Sequence, residues 1–151
     1  MARKTYTGKD LDVTFDADVC THCGNCTRAL NAVFDIHRRP WVLPDNADAG
    51  HVVAAVLNCP SGALRYVPKA GQGAEESDVQ PSVRAAKDGP LHVRGDLRVT
   101  LPDGSVVQGT RMAFCRCGRS GRMPFCDATH RKVGFREPEP PQGDRPPRPQ
   151  S

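Results

Sequence analysis

The sequence predicts an α+β chain of two small domains, and three observations carry that prediction. The seven cysteines fall into two groups, Cys20 to Cys59 and Cys115 to Cys126, with a stretch of Gly, Pro and charge between them. In the first half an alternating apolar run, a cysteine loop and an amphipathic helical stretch follow one another. In the second half alternating runs flank a Pro-Asp-Gly turn, the pattern of a β-hairpin. The boundaries we read are residues 1–67 for the first domain, 68–89 for a linker, 90–136 for the second domain and 137–151 for a Pro-rich tail expected to be disordered.

The chain has 151 residues, enough for one ordinary domain or two very small ones, and only 5% of them are aromatic. Cores that small commonly need a metal or disulfides to hold together. No apolar run reaches the length of a transmembrane helix, and Met1 to Asp18 lacks an apolar signal segment, so no membrane association and a cytoplasmic, reducing location are expected. In such a location seven cysteines argue for metal ligation over disulfides. The odd number divides as four plus three, with His130 completing the second set.

In chain order, Leu11, Val13, Phe15 and Ala17 alternate with Asp12, Thr14, Asp16 and Asp18, which predicts a half-buried strand with an acidic, solvated face. The run C-T-H-C-G-N-C follows. Cys20, Cys23 and Cys26 have the spacing of a bacterial-type cluster loop, and Gly24 supplies backbone freedom. Leu30 stands where two-cluster ferredoxins carry a fourth cysteine, so one cluster is expected in this half. Cys59, in C-P-S-G-A-L, is the remaining cysteine for its fourth ligand; His22 is the alternative. A first helix is expected from Cys26 to Phe34. A second should start at Asp48 as N-cap and run from Ala49 to Asn58, with Val52, Val53, Val56 and Leu57 as its apolar stripe. Ala63, Leu64, Tyr66 and Val67 read as a closing strand. His37 and His51 read as surface histidines. Arg38, Arg39 and Trp41 form a loop that either covers the cluster or simply packs Trp41 beneath charged flanks.

The segment V-F-D-I-H-R-R-P-W-V, with the helix and C-P-S-G-A-L, resembles a divergent single-cluster 4Fe–4S ferredoxin domain over roughly residues 5 to 68. The resemblance implies a ferredoxin-like fold and a 4Fe–4S cluster on Cys20, Cys26 and Cys59, with Cys23 making the set more complete. Residues 68 to 90 have no sustained apolar periodicity and predict a linker, with at most a brief turn at Val83 to Lys87.

Leu91, Val93, Leu97, Val99 and Leu101 alternate with polar residues, and Val106 begins the return strand. Met112 and Phe114 lead into F-C-R-C-G-R-S-G-R-M-P-F-C-D-A-T-H. Cys115 and Cys117 lie one residue apart at a strand end, a Gly- and Pro-containing loop returns Cys126, and His130 follows one helical turn later. Three sulfurs and one nitrogen suit either zinc or an iron–sulfur cluster. The run resembles the CDGSH iron–sulfur family over roughly residues 90 to 136: Cys115 and Cys117, Ser120, Pro124, Cys126 and Asp127, and His130 match its pattern. Ala128 departs from it, standing where the family usually has Gly. The resemblance implies a 2Fe–2S cluster on Cys115, Cys117, Cys126 and His130, with two expectations for the 91–108 hairpin: it builds a homodimer through strands around the cluster, or it covers the fold within one chain.

Residues 1–67 carry seven basic and seven acidic side chains, whereas residues 88–136 carry nine basic and four acidic. Arg116, Arg119 and Arg122 read as a basic face that offsets the cluster's charge, raises its potential or docks an acidic partner. No aromatics interleave them and no recognition helix is visible, so nucleic acid is not an expected partner. No nucleophile with its base and no phosphate loop is present, so an enzyme is not expected. The functional expectation is an electron carrier with one 4Fe–4S and one 2Fe–2S cluster that meets a redox partner protein. The competing expectations are a cluster-transfer or redox- and pH-sensing module with a cluster acceptor, and a zinc-stabilised interaction module.

Overall fold

A computed structural model describes residues 3–69 and 80–138. Both domains are small and sheet-rich, with few helices. In the first, β1 (Lys4–Tyr6), β2 (Leu11–Phe15) and β3 (Leu64–Pro68) form an antiparallel sheet in the order β1-β2-β3. Val13 pairs with Tyr66 and Phe15 with Leu64. The period of two puts Leu11 and Val13 inside, and both are buried. The expected acidic face is largely paired: Asp12 meets Lys69 at 3.1 Å and Asp16 meets Arg3 at 3.8 Å.

Helix α2 (Ala49–Leu57) covers this sheet with Val52, Ala55 and Val56, spaced three and four residues apart. Asp48 is its N-cap residue by position, but its side chain makes no cap bond; it lies 3.5 Å from His51 instead. The first helix is shorter than expected. Helix α1 spans only Asn25–Ala29, and Leu30 leaves the helical region at φ −151°. The turn that follows lets Val33 and Phe34 enter the core, where Phe34 bridges to Val42. A helix continued to Phe34 would leave Val42 without that partner. Strand β1 was not expected either; its three residues are too few to show a period.

In the second domain β4 (Ser82–Ala85), β5 (Leu91–Thr100) and β6 (Val106–Phe114) form an antiparallel sheet in that order. Strand β4 corrects part of the expected linker. All four of its residues are exposed, so burial periodicity carried no sign of it. Residues 70–79 of that linker and residues 139–151 of the expected disordered tail lie outside the described residues. The β5–β6 turn is the expected Pro102-Asp103-Gly104 one, with Gly104 at φ 85° and Asp103 accepting from Ser105 N–H at 2.9 Å. A register shift between Arg94 and Leu97 kinks the hairpin at Gly95, whose φ is 143°. Helix α3 (Thr129–Lys132) ends the domain. No helix among the described residues is long and apolar enough to cross a membrane.

The two domains touch. Arg94 and Arg111 are cross-strand partners, so both side chains rise from one face of the sheet. Arg94 donates to Leu57 O at 2.9 Å. Arg111, only 3% exposed, donates to Val56 O at 2.6 Å, Cys59 O at 2.7 Å and Leu64 O at 2.8 Å. The last carbonyls of a helix have no partner within it and carry negative partial charge. Here arginines from the other domain serve them at the end of α2.

Candidate metal centres

The first centre is assembled from the Val19–Gly24 loop, α1 and the turn after α2. His22 takes φ 53°, which aims its N–H at Cys20 Sγ at 3.3 Å. Arg28 fixes the loop by donating to Cys23 O at 2.9 Å and to Asn25 Oδ1 at 2.8 Å. Asn25 donates in turn to Asn58 O at 3.3 Å, tying the loop to the segment that carries Cys59. Cys59 is buried, with its Sγ 3.6 Å from Ser61 Oγ. Burial pushes the Cys26 thiol up to about 11, and the charges of Cys59, Cys20 and Cys23 add to that. Cys20 is raised too, mainly by burial and then by Cys59 and Cys23 against the opposing His22 N–H. Cys20, Cys23 and Cys59 thus each act on Cys26, although among the described residues no three of these side chains come together as the ligands of a single ion would. Packing four thiolates there favours an added cation, whose binding would expel their protons. His22 Nδ1 lies 3.9 Å from Cys20 Sγ, at the edge of this group.

Trp41 packs edge-on against Phe15, with ring centroids 4.9 Å apart, and against Tyr6 at 6.3 Å. It also lines a cleft of about 380 Å³ with Cys20, Cys26 and Ile36. Packing and cover are thus roles of one side chain. Arg38 points away, donating to Val33 O at 2.8 Å.

The second centre forms where the Cys117–Pro124 loop folds back on β6. Cys115 N–H donates to Pro124 O and Cys126 N–H to Ala113 O, both at 2.8 Å. The Phe114 and Phe125 rings stack at 5.5 Å. Ser120 and Asp127 brace the loop: Ser120 Oγ donates to Phe125 O at 2.6 Å, and Asp127 accepts from Gly121 N–H at 2.8 Å and Thr129 N–H at 3.0 Å. The Thr129 hydrogen bond, then those of Gly121 and Ser120, holds the Asp127 carboxyl well below the usual carboxylate range.

The four candidate ligands fall into two pairs. Cys115 and Cys117 sulfurs are 3.6 Å apart, and Cys126 Sγ lies 3.5 Å from His130 Nδ1. Metal–sulfur bonds of about 2.3 Å and metal–nitrogen bonds of about 2.0 Å at tetrahedral angles separate two ligands by roughly 3.5–3.8 Å. Each pair has the edge length of one tetrahedral metal. Among the described residues no three His, Cys, Asp or Glu side chains converge as the ligands of a single ion would. Burial works against the Cys115 thiolate, yet the N–H groups of Ser120, Gly118 and Cys117 and the Cys117 thiol outweigh it and bring its pKa below the ordinary thiol value. Cys126 is raised by burial, against the Ala128 N–H. His130 is lowered by burial and by Arg131, against Asp127.

Residues 6–69 match a family described as a divergent 4Fe-4S mono-cluster, and residues 88–131 match one described as an iron-binding zinc finger of CDGSH type. The chain is 44% identical over 63 residues to the uncharacterised protein YjdI of Escherichia coli K12, a match in its N-terminal part that spans 42% of this chain and 83% of that one. This chain joins a divergent 4Fe–4S mono-cluster domain to a CDGSH-type iron-binding domain. The YjdI protein of Escherichia coli O157:H7 matches to the same 44% over 63 residues. No solved structure matches the chain.

Two sides of the CDGSH domain went unread in the sequence. One is the pair Arg94 and Arg111, which reaches the mono-cluster domain. The available signal was Arg111 in a period-two row with Gly109 and Ala113, a long side chain between small ones. The other is the orientation of the loop arginines. Arg116 does not join a solvated face; it donates to Gly89 O and Ala86 O, both at 2.6 Å, and pairs with Glu137 at 2.9 Å. Arg119 is exposed, as expected.

Ala128 lies at φ 71°, in the left-handed region, and this conformation turns its N–H onto Cys126 Sγ at 3.4 Å. A Cβ there costs about 1–2 kcal/mol. Glycine removes that strain but adds roughly 0.4–1 kcal/mol of unfolded-chain entropy. Ala128→Gly is therefore expected to stabilise the protein by up to about 1.5 kcal/mol. A raised denaturation midpoint at unchanged iron content checks it, and a lowered midpoint would count against the strain.

Proposed function

We propose that this chain is an electron carrier with a 4Fe–4S cluster on Cys20, Cys23, Cys26 and Cys59 and a 2Fe–2S cluster on Cys115, Cys117, Cys126 and His130. The observation that carries the reading is the pairing of the second ligand set at 3.6 and 3.5 Å, which suits two adjacent metals better than one. Bound clusters of this kind take up and release single electrons. On this reading the strand–loop–helix–strand order of the mono-cluster domain is ferredoxin-like. The residues do the rest. N–H groups of His22, Arg119 and Ala128 point at Cys20, Cys117 and Cys126 sulfurs and favour the charged thiolates. Neutral His130 removes one negative charge from the second ligand set, so that site takes an electron more readily than the all-thiolate one. The chain carries rather than catalyses, and a reducing compartment such as the cytoplasm suits its seven free thiols.

Cluster donation to an acceptor protein is the second reading. It is favoured by the shallow placement of Cys115, Cys117 and His130, none of which is fully buried. Anaerobic purification with iron, sulfide and zinc analysis, beside low-temperature EPR of the reduced protein, tests the assignment. About six irons and six sulfides per chain with two distinct signals are expected. Zinc at both sites and a colourless protein would leave a binding scaffold instead. Retention of both clusters beside an apo acceptor protein separates carriage from donation.

A further inference from the structure

Arg122 differs from its neighbours in the ligand loop, because it turns inward. Its Nη2 donates to Cys126 O at 2.9 Å, and its backbone N–H donates to Ser120 Oγ at 3.0 Å. Its Nε is shut off from solvent and has no hydrogen-bond partner among the described residues. A cavity of about 70 Å³ between the domains is lined by Arg122 together with Val19, Ser61, Arg111 and Phe125. Each of these lies beside a candidate ligand or its support. Val19 precedes Cys20, the Ser61 hydroxyl sits 3.6 Å from Cys59 Sγ, Phe125 precedes Cys126, and Arg111 holds Cys59 O.

A second arginine links the same two ligand segments. Arg131, next to His130, donates to His22 O at 2.9 Å, and His22 sits between Cys20 and Cys23. The two ligand loops are thus in direct contact, and Arg122 is placed within the junction with one donor unused.

We propose that Arg122 is a cation shared by the two metal sites, a positioning residue that raises the reduction potential of both. The proposal deepens the electron-carrier reading and rests on it. Reduction of either site by a one-electron donor protein adds one negative charge and no proton. A fixed cation with few waters around it stabilises that charge more than an exposed one does. Because the cavity that Arg122 lines also reaches Val19 and Ser61 beside the first ligand set, its loss is felt twice.

The test uses the full chain, purified anaerobically. Iron and sulfide analysis of the wild type comes first, and a chain without two iron–sulfur centres ends the carrier reading, not this one alone. Redox titrations followed by EPR are then run on wild type, Arg122→Gln, Arg122→Lys and Arg119→Gln. Arg122→Gln is expected to lower both potentials, each by about tenfold in its reduction equilibrium, about 59 mV for one electron. Arg122→Lys keeps most of both values, and Arg119→Gln, exposed and screened, moves neither appreciably. A shift at the CDGSH site alone, or an equal shift in Arg119→Gln, overturns the proposal. If Arg122→Gln fails to retain both centres, Arg122→Met, which keeps the apolar stem, replaces it. Loss of the centres in both variants assigns Arg122 a structural role instead.

Discussion

Arg111→Ala should lower the free energy of unfolding by about 3–5 kcal/mol, the largest effect expected of any side chain that is not a candidate metal ligand. The guanidinium is 3% exposed and serves three main-chain carbonyls at 2.6, 2.7 and 2.8 Å. Truncation leaves Leu64 O without its guanidinium donor, and Val56 O and Cys59 O with only the N–H groups of Cys59 at 3.0 Å and Gly62 at 3.5 Å; each buried polar group left unsatisfied costs about 1–3 kcal/mol. Water entering the gap recovers part of this, which keeps the sum below the upper limit. Arg111→Lys should fall in between, since an ammonium keeps the charge but cannot present the planar fork that reaches three acceptors. Because one acceptor is Cys59 O, the first metal site should loosen as well. Urea denaturation followed by far-UV circular dichroism gives the stability, and the rate of iron loss to a chelator gives the site. A loss below about 1 kcal/mol with unaltered iron release would show that the domains do not depend on this contact.

Mild acid should bleach the CDGSH site before the mono-cluster site, and His130→Cys should abolish that order. Burial first, then Arg131, lowers the His130 pKa, so at neutral pH the imidazole is neutral and ready to bind. A histidine whose folded pKa lies below its unfolded value takes up fewer protons when folded. Its contribution is therefore complete above the ordinary histidine value of about 6.5 and declines as pH falls through it. His92 acts in the same direction, lowered by burial and then by Arg84, Arg94 and His130. Cysteine at position 130 supplies a thiolate, a stronger ligand for iron, and removes one of these two titrations. Visible absorbance followed from pH 8 down to about pH 5 separates the cases, since that window brackets the histidine titration. An identical bleaching curve for the variant would remove His130 from the ligand set.

Most of the candidate ligands lie close together in the sequence, and only Cys59 is distant from its set. Cys20, Cys23 and Cys26 fall in one loop and the start of α1, and Cys126 and His130 lie four residues apart, but the expected helical turn between them is replaced by a left-handed Ala128, with α3 beginning only at Thr129. Helix α2 was legible, since Val52 and Val56 form a stripe within one element. Helix α1 was not. Its apolar residues Leu30, Val33 and Phe34 also have helical spacing, but Phe34 pairs with Val42, a partner outside any local window. Strand β4 escaped because every one of its residues is exposed. The arginine contacts escaped for a further reason. A buried arginine is recognised by its acceptors, and these belong to a segment some fifty residues away, as the Arg111 to Val56 separation of 55 shows.

Arg94, Arg111 and Arg131 reach five main-chain oxygens of the mono-cluster domain: those of Leu57, Val56, Cys59, Leu64 and His22. Main-chain oxygens are the same whatever residue carries them. The surface that receives the CDGSH domain is therefore written in backbone shape rather than in side-chain identity. Side chains at those positions can drift without erasing the docking points, while the arginines on the other side cannot. A lone mono-cluster domain that keeps the α2 turn and the Cys20–Cys23 loop would present the same row of oxygens to any neighbour with arginines at matching positions.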